Sequence, residues 1–363
     1  MRNTNKGRVV VAMSGGVDSS VTAALLEEEG RQVIGVTLQL GGAMGHRTDE
    51  RPCCTGRDVA DARQVAAKIG IPHYVFDYER RFFDDVVLPF AESYGRGETP
   101  VPCVLCNKTV KFRDLLAAAR LLEAECLATG HYARRQDGPD GPELWRGRDS
   151  RHDQSYFLFA TTRAQLSFLH FPLGKVESKA ETRAHARRFG LPVADKHDSQ
   201  DICFAPEGDY SRVISTIKPE VVKPGDIVHI DGSFLGKHAG IVHYTINQRR
   251  GLGIGGRPEP LYVVRLEPAT RRVIVGPRSA LLRDWLIVGD INWLGAGTSP
   301  PAAGMAIKVQ LRSTHAPLSA IVFGYENGSA RVQLARPFAG VAPGQACVFY
   351  QGDRILGGGW ITK

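Results

Sequence analysis

No apolar stretch in this 363-residue sequence is long enough to cross a bilayer. The longest, Arg8–Met13 and Val33–Leu40, fall far short of the roughly 20 residues a helical span needs. The first residues, MRNTNKGRVVVAM, lack the extended apolar region and small-residue cleavage site of a signal peptide and show no transit-like pattern. The expectation is a soluble, cytoplasmic protein with no membrane partner. Cysteine is sparse and odd in number, at seven, which argues against an extracellular disulfide scaffold and leaves thiols for burial, metal binding or reaction. Repeats and low-complexity segments are absent. Acidic residues are outnumbered, 38 Asp and Glu against 46 Lys and Arg, and the formal net charge of +8 fits a polyanionic partner. A 43% apolar content with 23% charged residues excludes global disorder. The length exceeds the roughly 250–300 residues that one core usually serves, so two or three domains are expected.

The first two hundred residues alternate short apolar runs with helical stretches: RVVVAM, then SSVTAALLEEEG, RQVIGVTLQL, RDVADARQVAAKIG and HYVFDY, and later VKFRDLLAAARLLEAE before CLATGHYARR. Strand–helix alternation of this kind builds a mostly parallel sheet covered by helices on both faces, with ligands beyond the carboxyl ends of the strands. Gly70 before Ile71-Pro72 reads as a helix stop, and Ser178-Lys179-Ala180-Glu181 has capping-box spacing for a helix ending near Phe189-Gly190. Past about residue 205, glycine and proline become frequent and short strand-like runs follow one another: DIVHI, GIVHYTI, LYVVRLE, RRVIVG, AIKVQL, SAIVFGY, ARVQLA and ACVFY. These read as small β-barrels or open antiparallel sheets. The expected organisation is an α/β Rossmann-like domain over 1–206, a central β-rich domain over 207–283 and a β-barrel over 284–363.

The most informative segment is Ser14-Gly15-Gly16-Val17-Asp18-Ser19-Ser20, directly after the first strand. It lacks the Gly-Lys-Ser/Thr ending of a Walker loop and the G-x-G-x-x-G spacing of a dinucleotide fold. Its two glycines nonetheless let backbone approach an anion, its serines can donate hydrogen bonds, and the following helix presents free N–H groups and a positive dipole end. Asp18 cannot attract phosphate by itself, so Mg²⁺ bridging it to a triphosphate is the economical reading. A glycine turn capped by serine is the ordinary alternative, but the strand–loop–helix context favours nucleotide. The segment resembles the pyrophosphate loop of the PP-loop ATP pyrophosphatases. That resemblance implies ATP bound through Ala12, Met13, Ser14, Gly15, Gly16, Val17, Asp18 and Ser19, and an adenylated product that a nucleophile then displaces.

Two separated cysteine segments offer such a nucleophile. TPVPCVLCNK holds Cys103 and Cys106, and DSQDICF holds Cys203. No second C-x-x-C or H-x₃₋₅-H stands at zinc-finger spacing, although Cys53 and Cys54 leave metal binding open. A thioredoxin-type motif is disfavoured because the pair follows a proline-rich loop rather than opening a helix straight after a strand. Cys126 and Cys347 lie in apolar runs and read as buried fillers.

Taken in order, SGGVDSSV, TP-x-P-C-x-x-CNK-x-x-KF, ATGHYAR, DQSYFL, DSQDICF, QRRGLGIGG and PGQ-x-x-VFY with LGGGWI resemble the tRNA-specific 2-thiouridylases from about residue 8 to the C-terminus. The resemblance implies adenylation of the C2 oxygen of the wobble uridine (position 34) of Lys, Glu and Gln tRNAs. Sulfur then arrives as a persulfide on Cys203, with Cys106 as partner nucleophile and a Cys106–Cys203 disulfide to be reduced. The source of the sulfur would be a cysteine desulfurase or a relay protein. Lys108 is placed to favour the Cys106 thiolate. Leu38 and Gly130 are implied nucleotide contacts. Val101, Pro102, Cys103, His131, His152, Asp153, Gln154, Arg312, Ser313 and Gln345 are implied tRNA contacts. Relatives more often carry Asn at the position of Val101, Asp at Cys103 and Lys at His152. An iron–sulfur cluster on Cys103, Cys106 and Cys203 is a minority alternative. A PP-loop ligase acting on a small molecule would explain the loop but leaves the cysteines idle, and a non-catalytic RNA-binding protein would leave the loop itself unused.

Overall fold

The computed structural model describes residues 6–41, 56–198, 202–205, 209–255 and 259–362. Cys53, Cys54, Ser199, Gln200, Asp201 and Gly256 lie outside them. The described chain divides into two compact units: residues 1–86, 103–208 and 353–355 in the first, and 87–102, 209–352 and 356–363 in the second. Among the described residues no helix is long and apolar enough to cross a membrane.

The first unit is built on a parallel sheet. Its strands are β1 (Lys6–Ala12), β2 (Arg31–Gln39), β3 (His73–Asp77), β4 (Cys126–Ala128) and β7 (Leu169–His170), in the order β3-β2-β1-β4-β7. β1 therefore has β2 on one side and β4 on the other, and the strand order reverses between β1 and β4. That is the crevice where open α/β sheets bind ligands. Helices α1 (Val17–Glu28) and α2 (Gly56–Ile69) follow β1 and precede β3, and α8 (Lys179–Arg188) packs against α1. The sheet is near-continuously apolar, as a two-sided sheet must be. Val9, Val11, Met13, Val17, Val21, Leu26, Val65 and Leu173 form one buried core. Each fully buried Val or Leu in it contributes roughly 1.5–3 kcal/mol. α1 buries eight of its twelve residues and so sits inside the unit, not on its surface.

Shorter helices α3 (Glu79–Phe82), α5 (Pro102–Cys106), α6 (Leu116–Leu121) and α7 (Arg163–Leu166) complete the first unit, together with a hairpin of β5 (Ala133–Gly138) and β6 (Gly141–Arg146). Arg354 and Ile355 pair with Trp145 and Leu144 of this hairpin. The sequence reading missed the hairpin because ARRQDG and GPELWR carry charge and turn residues where a strand signal needs apolar alternation.

In the second unit, α4 (Leu88–Gly95) lies against α9 (Tyr210–Ile217). A four-stranded sheet follows, formed by β8 (Gly225–His229), β9 (Phe234–His238), β10 (Tyr262–Glu267) and β11 (Arg272–Gly276) in the order β10-β11-β8-β9. One expected strand there is a turn. In GIVHYTI, His243 N donates to Gly240 O and Tyr244 N to Ile241 O, so Ile241 and Val242 enter the core from a helical turn instead. The last six strands are β12 (Leu282–Trp293), β13 (Met305–Gln310), β14 (Leu318–Gly324), β15 (Ala330–Ala339), β16 (Ala346–Gln351) and β17 (Arg354–Ile361). They run β12-β15-β14-β13-β16-β17, and β12 pairs with β17 to close a six-stranded barrel. Closure removes the open edges that would otherwise pair with other chains. Leu286, Val309, Val322, Val332 and Phe349 fill the interior.

Candidate functional site: a phosphate loop and two cysteine segments in one unit

The loop after β1 is held at its entrance by backbone. Met13 N donates to Val36 O (2.8 Å), and Thr37 Oγ1 donates to Met13 O (2.7 Å). Gly15 takes φ +74°, and a Cβ there would stand 2.2 Å from Asp58 O at the start of α2. Both conditions require glycine. Gly16 is the N-cap of α1 and offers no side chain to its first turn. The Ser19 and Ser20 hydroxyls donate to Gly16 O at 3.2 and 2.8 Å, and Ser14 Oγ lies 3.2 Å from Ser19 Oγ at the loop's exposed face. Uncapped helix N–H groups beside two hydroxyls at a sheet's carboxyl edge have the chemistry that suits an anion. Leu38, near the end of β2, is buried beside the same edge.

Two lysines that no motif announced supply positive charge around the loop. Lys179, the first residue of α8, donates to both Asp18 oxygens (2.7 and 2.8 Å) and to Asp198 Oδ1 (2.9 Å). Tyr132 OH donates to Asp18 Oδ1 at 2.8 Å and shares a second hydrogen bond with Thr182. Burial, reinforced by the Asp18 charge, raises the Tyr132 phenol well above its usual pKa, so it stays a donor. Lys196 Nζ reaches Gly15 O (3.0 Å) and the carboxylates of Asp58 and Asp61. Burial works against its charge, but the two carboxylates outweigh it and raise its pKa. The Asp18 carboxylate is also balanced by an ammonium from a helix 161 positions away.

Cys103 and Cys106 both lie in α5, so the C-x-x-C pair does open a helix, though from a loop and not from a strand end. Cys103 is exposed and Cys106 is buried. The chain continues from Asn107 to Leu115 in wider π-type turns, a rare geometry frequent at functional sites. Asn107, itself buried, donates to Phe157 O (3.1 Å), and Gln165 Nε2 donates to Phe112 O (2.9 Å), fixing this stretch. Cys203 is half-buried, and its neighbour Phe204 packs edge-on against Phe82 with ring centres 5.8 Å apart. No group of three His, Cys, Asp or Glu suited to a metal occurs among the described residues, including Cys103, Cys106 and Cys203. Burial pushes the Cys126 and Cys347 thiols up in pKa, which fits inert fillers.

Family models cover most of this chain. A model described as the tRNA methyl transferase HUP domain matches residues 7–207. A tRNA methyl transferase PRC-barrel domain matches 215–277, and an aminomethyltransferase beta-barrel domain matches 283–361. Among curated relatives, a tRNA-specific 2-thiouridylase of Rhodospirillum centenum is 61% identical over 98% of this chain and 92% of its own length. The chain belongs to the tRNA-specific 2-thiouridylase family. Members from Rhodospirillum rubrum (58% identical, covering 98% of this chain and 96% of that one) and Paracoccus denitrificans (57%, 98% and 91%) agree.

The thiouridylase resemblance had also marked residues outside the loop and the cysteines. Gly130 follows β4, and a Cβ there would stand 2.8 Å from both Asp18 C and Ser19 N. The glycine thus permits close packing on the first turn of α1. His131 shares a 2.6 Å hydrogen bond with Thr129 Oγ1 and meets the ring edges of Phe112 and Phe171. Desolvation, with Lys111 nearby, holds its pKa well below the usual value, so the imidazole is neutral. His152 is exposed and donates from Nδ1 to Asp149 Oδ2 (2.7 Å). Asp153 turns inward, accepting from Gly147 N, Ser155 N and Ser155 Oγ, and Gln154 Oε1 accepts from Tyr132 N. Both side chains therefore shape the turn that presents His152.

In the second unit, Ser313 is exposed, while the Arg312 guanidinium donates to Gly340 O (2.9 Å) and Ile246 O (3.3 Å). Gln345 Nε2 donates to Thr99 O (2.7 Å), and Thr99 N donates to Pro343 O (2.8 Å). Val101 and Pro102 follow directly in that anchored loop, Pro102 buried and Val101 half-buried. Lys179, Tyr132 and Lys196 had escaped the sequence reading. The one available signal was a lysine immediately after the Ser178 cap.

Proposed function

We propose that this chain is an ATP-dependent tRNA 2-thiouridylase acting on the wobble uridine, in the cytoplasm where its substrate resides. The observation that carries the reading is the uncapped start of α1 beside Ser14 and Ser19, in the same compact unit as Cys106 and Cys203. Family membership and a net charge of +8 support tRNA as the partner.

The loop residues Ser14–Ser19 and the α1 dipole would bind the β,γ-phosphates and stabilise the pyrophosphate leaving group. The uridine O2 attacks the α-phosphorus, a P–O bond forms, and pyrophosphate departs. Asp18 is the loop carboxylate that would hold Mg²⁺, beside the bonds it accepts from Lys179 and Tyr132; bound there, Mg²⁺ would neutralise phosphate charge. The terminal sulfur of a Cys203 persulfide then attacks C2, and AMP leaves with the former O2. Cys106 thiolate attacks the Cys203 sulfur, the S–S bond breaks, and its electrons remain on the sulfur now bonded to C2. The resulting Cys106–Cys203 disulfide is reduced by an external thiol. Sulfur arrives from a persulfide-bearing protein, a cysteine desulfurase or a relay carrier. The exposed Cys103, His152 and Ser313 and the half-buried His131, Arg312 and Gln345 are proposed to meet the tRNA, whose Lys, Glu and Gln isoacceptors would carry the wobble uridine.

The test is to incubate protein, Mg-ATP, a persulfide donor and unmodified tRNA, then measure 2-thiouridine and AMP. Equimolar formation of both, abolished by Cys203→Ser, is expected. Thiolation that survives Cys203→Ser would remove the persulfide step. AMP formed on a small acid in the absence of tRNA would favour a small-molecule ligase instead.

A further inference from the structure

The peptide between Gly15 and Gly16 has no side chain on either flank, so little in the loop itself stops it from turning over. A trans peptide is planar, and its C=O and N–H point opposite ways. An anion is drawn to the N–H and repelled by the C=O, so the loop's affinity depends on which of them faces it. Lys196 decides this from outside the loop. Its Nζ donates to Gly15 O (3.0 Å), while the Asp58 and Asp61 carboxylates on α2 hold the same ammonium. With the carbonyl engaged there, Gly16 N–H faces the other way and donates to Ser14 Oγ (3.4 Å), an exposed contact. The lysine is itself set in place. Arg183 on α8 binds the strap of residues 194–198 that carries it, donating to Ala194 O (2.7 Å), Lys196 O (2.9 Å) and Asp198 Oδ1 (3.1 Å).

An ammonium shared by two carboxylates leaves a formal negative charge over, so this cluster has no net charge with which to attract a phosphate. Its use to the loop is therefore geometric. We propose that Lys196 is a positioning residue that holds the Gly15 carbonyl away from the bound anion, so that Gly16 N–H and the first turn of α1 meet the phosphates. The proposal rests on the reading that ATP binds at this loop. It deepens that reading by assigning the loop's polarity to a side chain 181 positions away from Gly15, on a segment that no phosphate-loop motif includes.

The experiment uses the full chain with Mg²⁺, titrated by calorimetry with a non-hydrolysable ATP analogue and, separately, with inorganic pyrophosphate. Lys196→Met is expected to weaken both ligands by about tenfold or more, the scale of one hydrogen bond to a charged group. Lys196→Arg, which keeps a donor for Gly15 O, recovers part of the loss. The deciding protein combines Lys196→Met with Asp58→Asn and Asp61→Asn. No carboxylate of the cluster is left in it, so its fold bears no new charge and its surroundings repel phosphate less than those of the wild type. A lysine that served charge alone would let this triple variant bind as tightly as the wild type, whereas the positioning role keeps it about tenfold weaker. Asp58→Asn with Asp61→Asn, in which Lys196 is kept and amide oxygens still accept from it, binds at least as tightly as the wild type. Wild-type affinity in the triple variant, or equal weakness in the double variant that keeps the lysine, overturns the proposal. Failure of the wild type to bind either ligand overturns the ATP reading itself, and the positioning role with it.

Discussion

Gly15 shows how much of the site turns on single residues. Its φ of +74° and its approach to Asp58 O leave no room for a side chain. Gly15→Ala is expected to cost about 1–3 kcal/mol of stability, the usual scale of strained backbone, and to abolish nucleotide binding. Urea unfolding and calorimetry check both; wild-type values in the two assays would contradict the account. His131 supports a pH prediction. Its folded-state pKa lies well below the ordinary histidine value of about 6.5, so the unfolded chain binds the extra proton. Its contribution is fully present above pH 6.5 and is lost as pH falls below it, with a limiting slope of about 1.4 kcal/mol per pH unit. His73, His170 and His238 are shifted the same way, mainly by desolvation, and steepen the loss. The urea midpoint should therefore fall between pH 7.5 and 5.5, roughly one pH unit either side of the ordinary histidine value, and less so in His131→Gln. Equal slopes for the two proteins would show that His131 is not the group responsible.

At the scale of elements, α8 does more than fill space. Its cap is the one read from the sequence, with Ser178 Oγ accepting from Glu181 N at 3.3 Å. The reciprocal bond differs from a full capping box, because Glu181 Oε2 accepts from Glu177 N and not from the cap residue. Ser178→Ala is expected to cost about 1 kcal/mol. Arg183→Ala removes three hydrogen bonds to residues 194–198 and should cost more, about 2–4 kcal/mol at roughly 1 kcal/mol per bond, with faster proteolysis around Lys196. Limited proteolysis of Arg183→Ala matching the wild type would show that the strap is held by other contacts. The strands and helices of the parallel sheet were legible because buried apolar runs alternate with helix-forming stretches. GIVHYTI was misread because buried Ile241 and Val242 carry the same apolar signal in a turn as in a strand. The π-type turns after Cys106 had no sequence signal, since they answer to packing around Asn107 and Phe112 and not to local propensity.

The whole molecule combines a nucleotide-type sheet with a closed barrel under a basic balance of charge. Phe349 is fully buried in the barrel beside Trp293. Phe349→Ala is expected to lower stability by about 3–5 kcal/mol, readable as a fall in the urea midpoint. The excess of cations predicts that tRNA affinity falls by about 10-fold or more as salt rises from about 50 to about 200 mM, through lost counterion release. Filter binding across that range checks it, and a flat response would remove phosphate contacts as the main source of affinity.

What the sequence determined by itself was local: a loop directly after a strand, glycines where only glycine fits, a cap at Ser178, and cysteines set in recognisable surroundings. Each depends on neighbours within a few positions, so a linear reading can see it. Tertiary structure alone decided the counterions, joining Asp18 to Lys179, and Asp58 and Asp61 to Lys196. Attraction between charges has no period along a chain. Only the sheet and α8, folded together, bring partners more than a hundred positions apart within the reach of one ammonium.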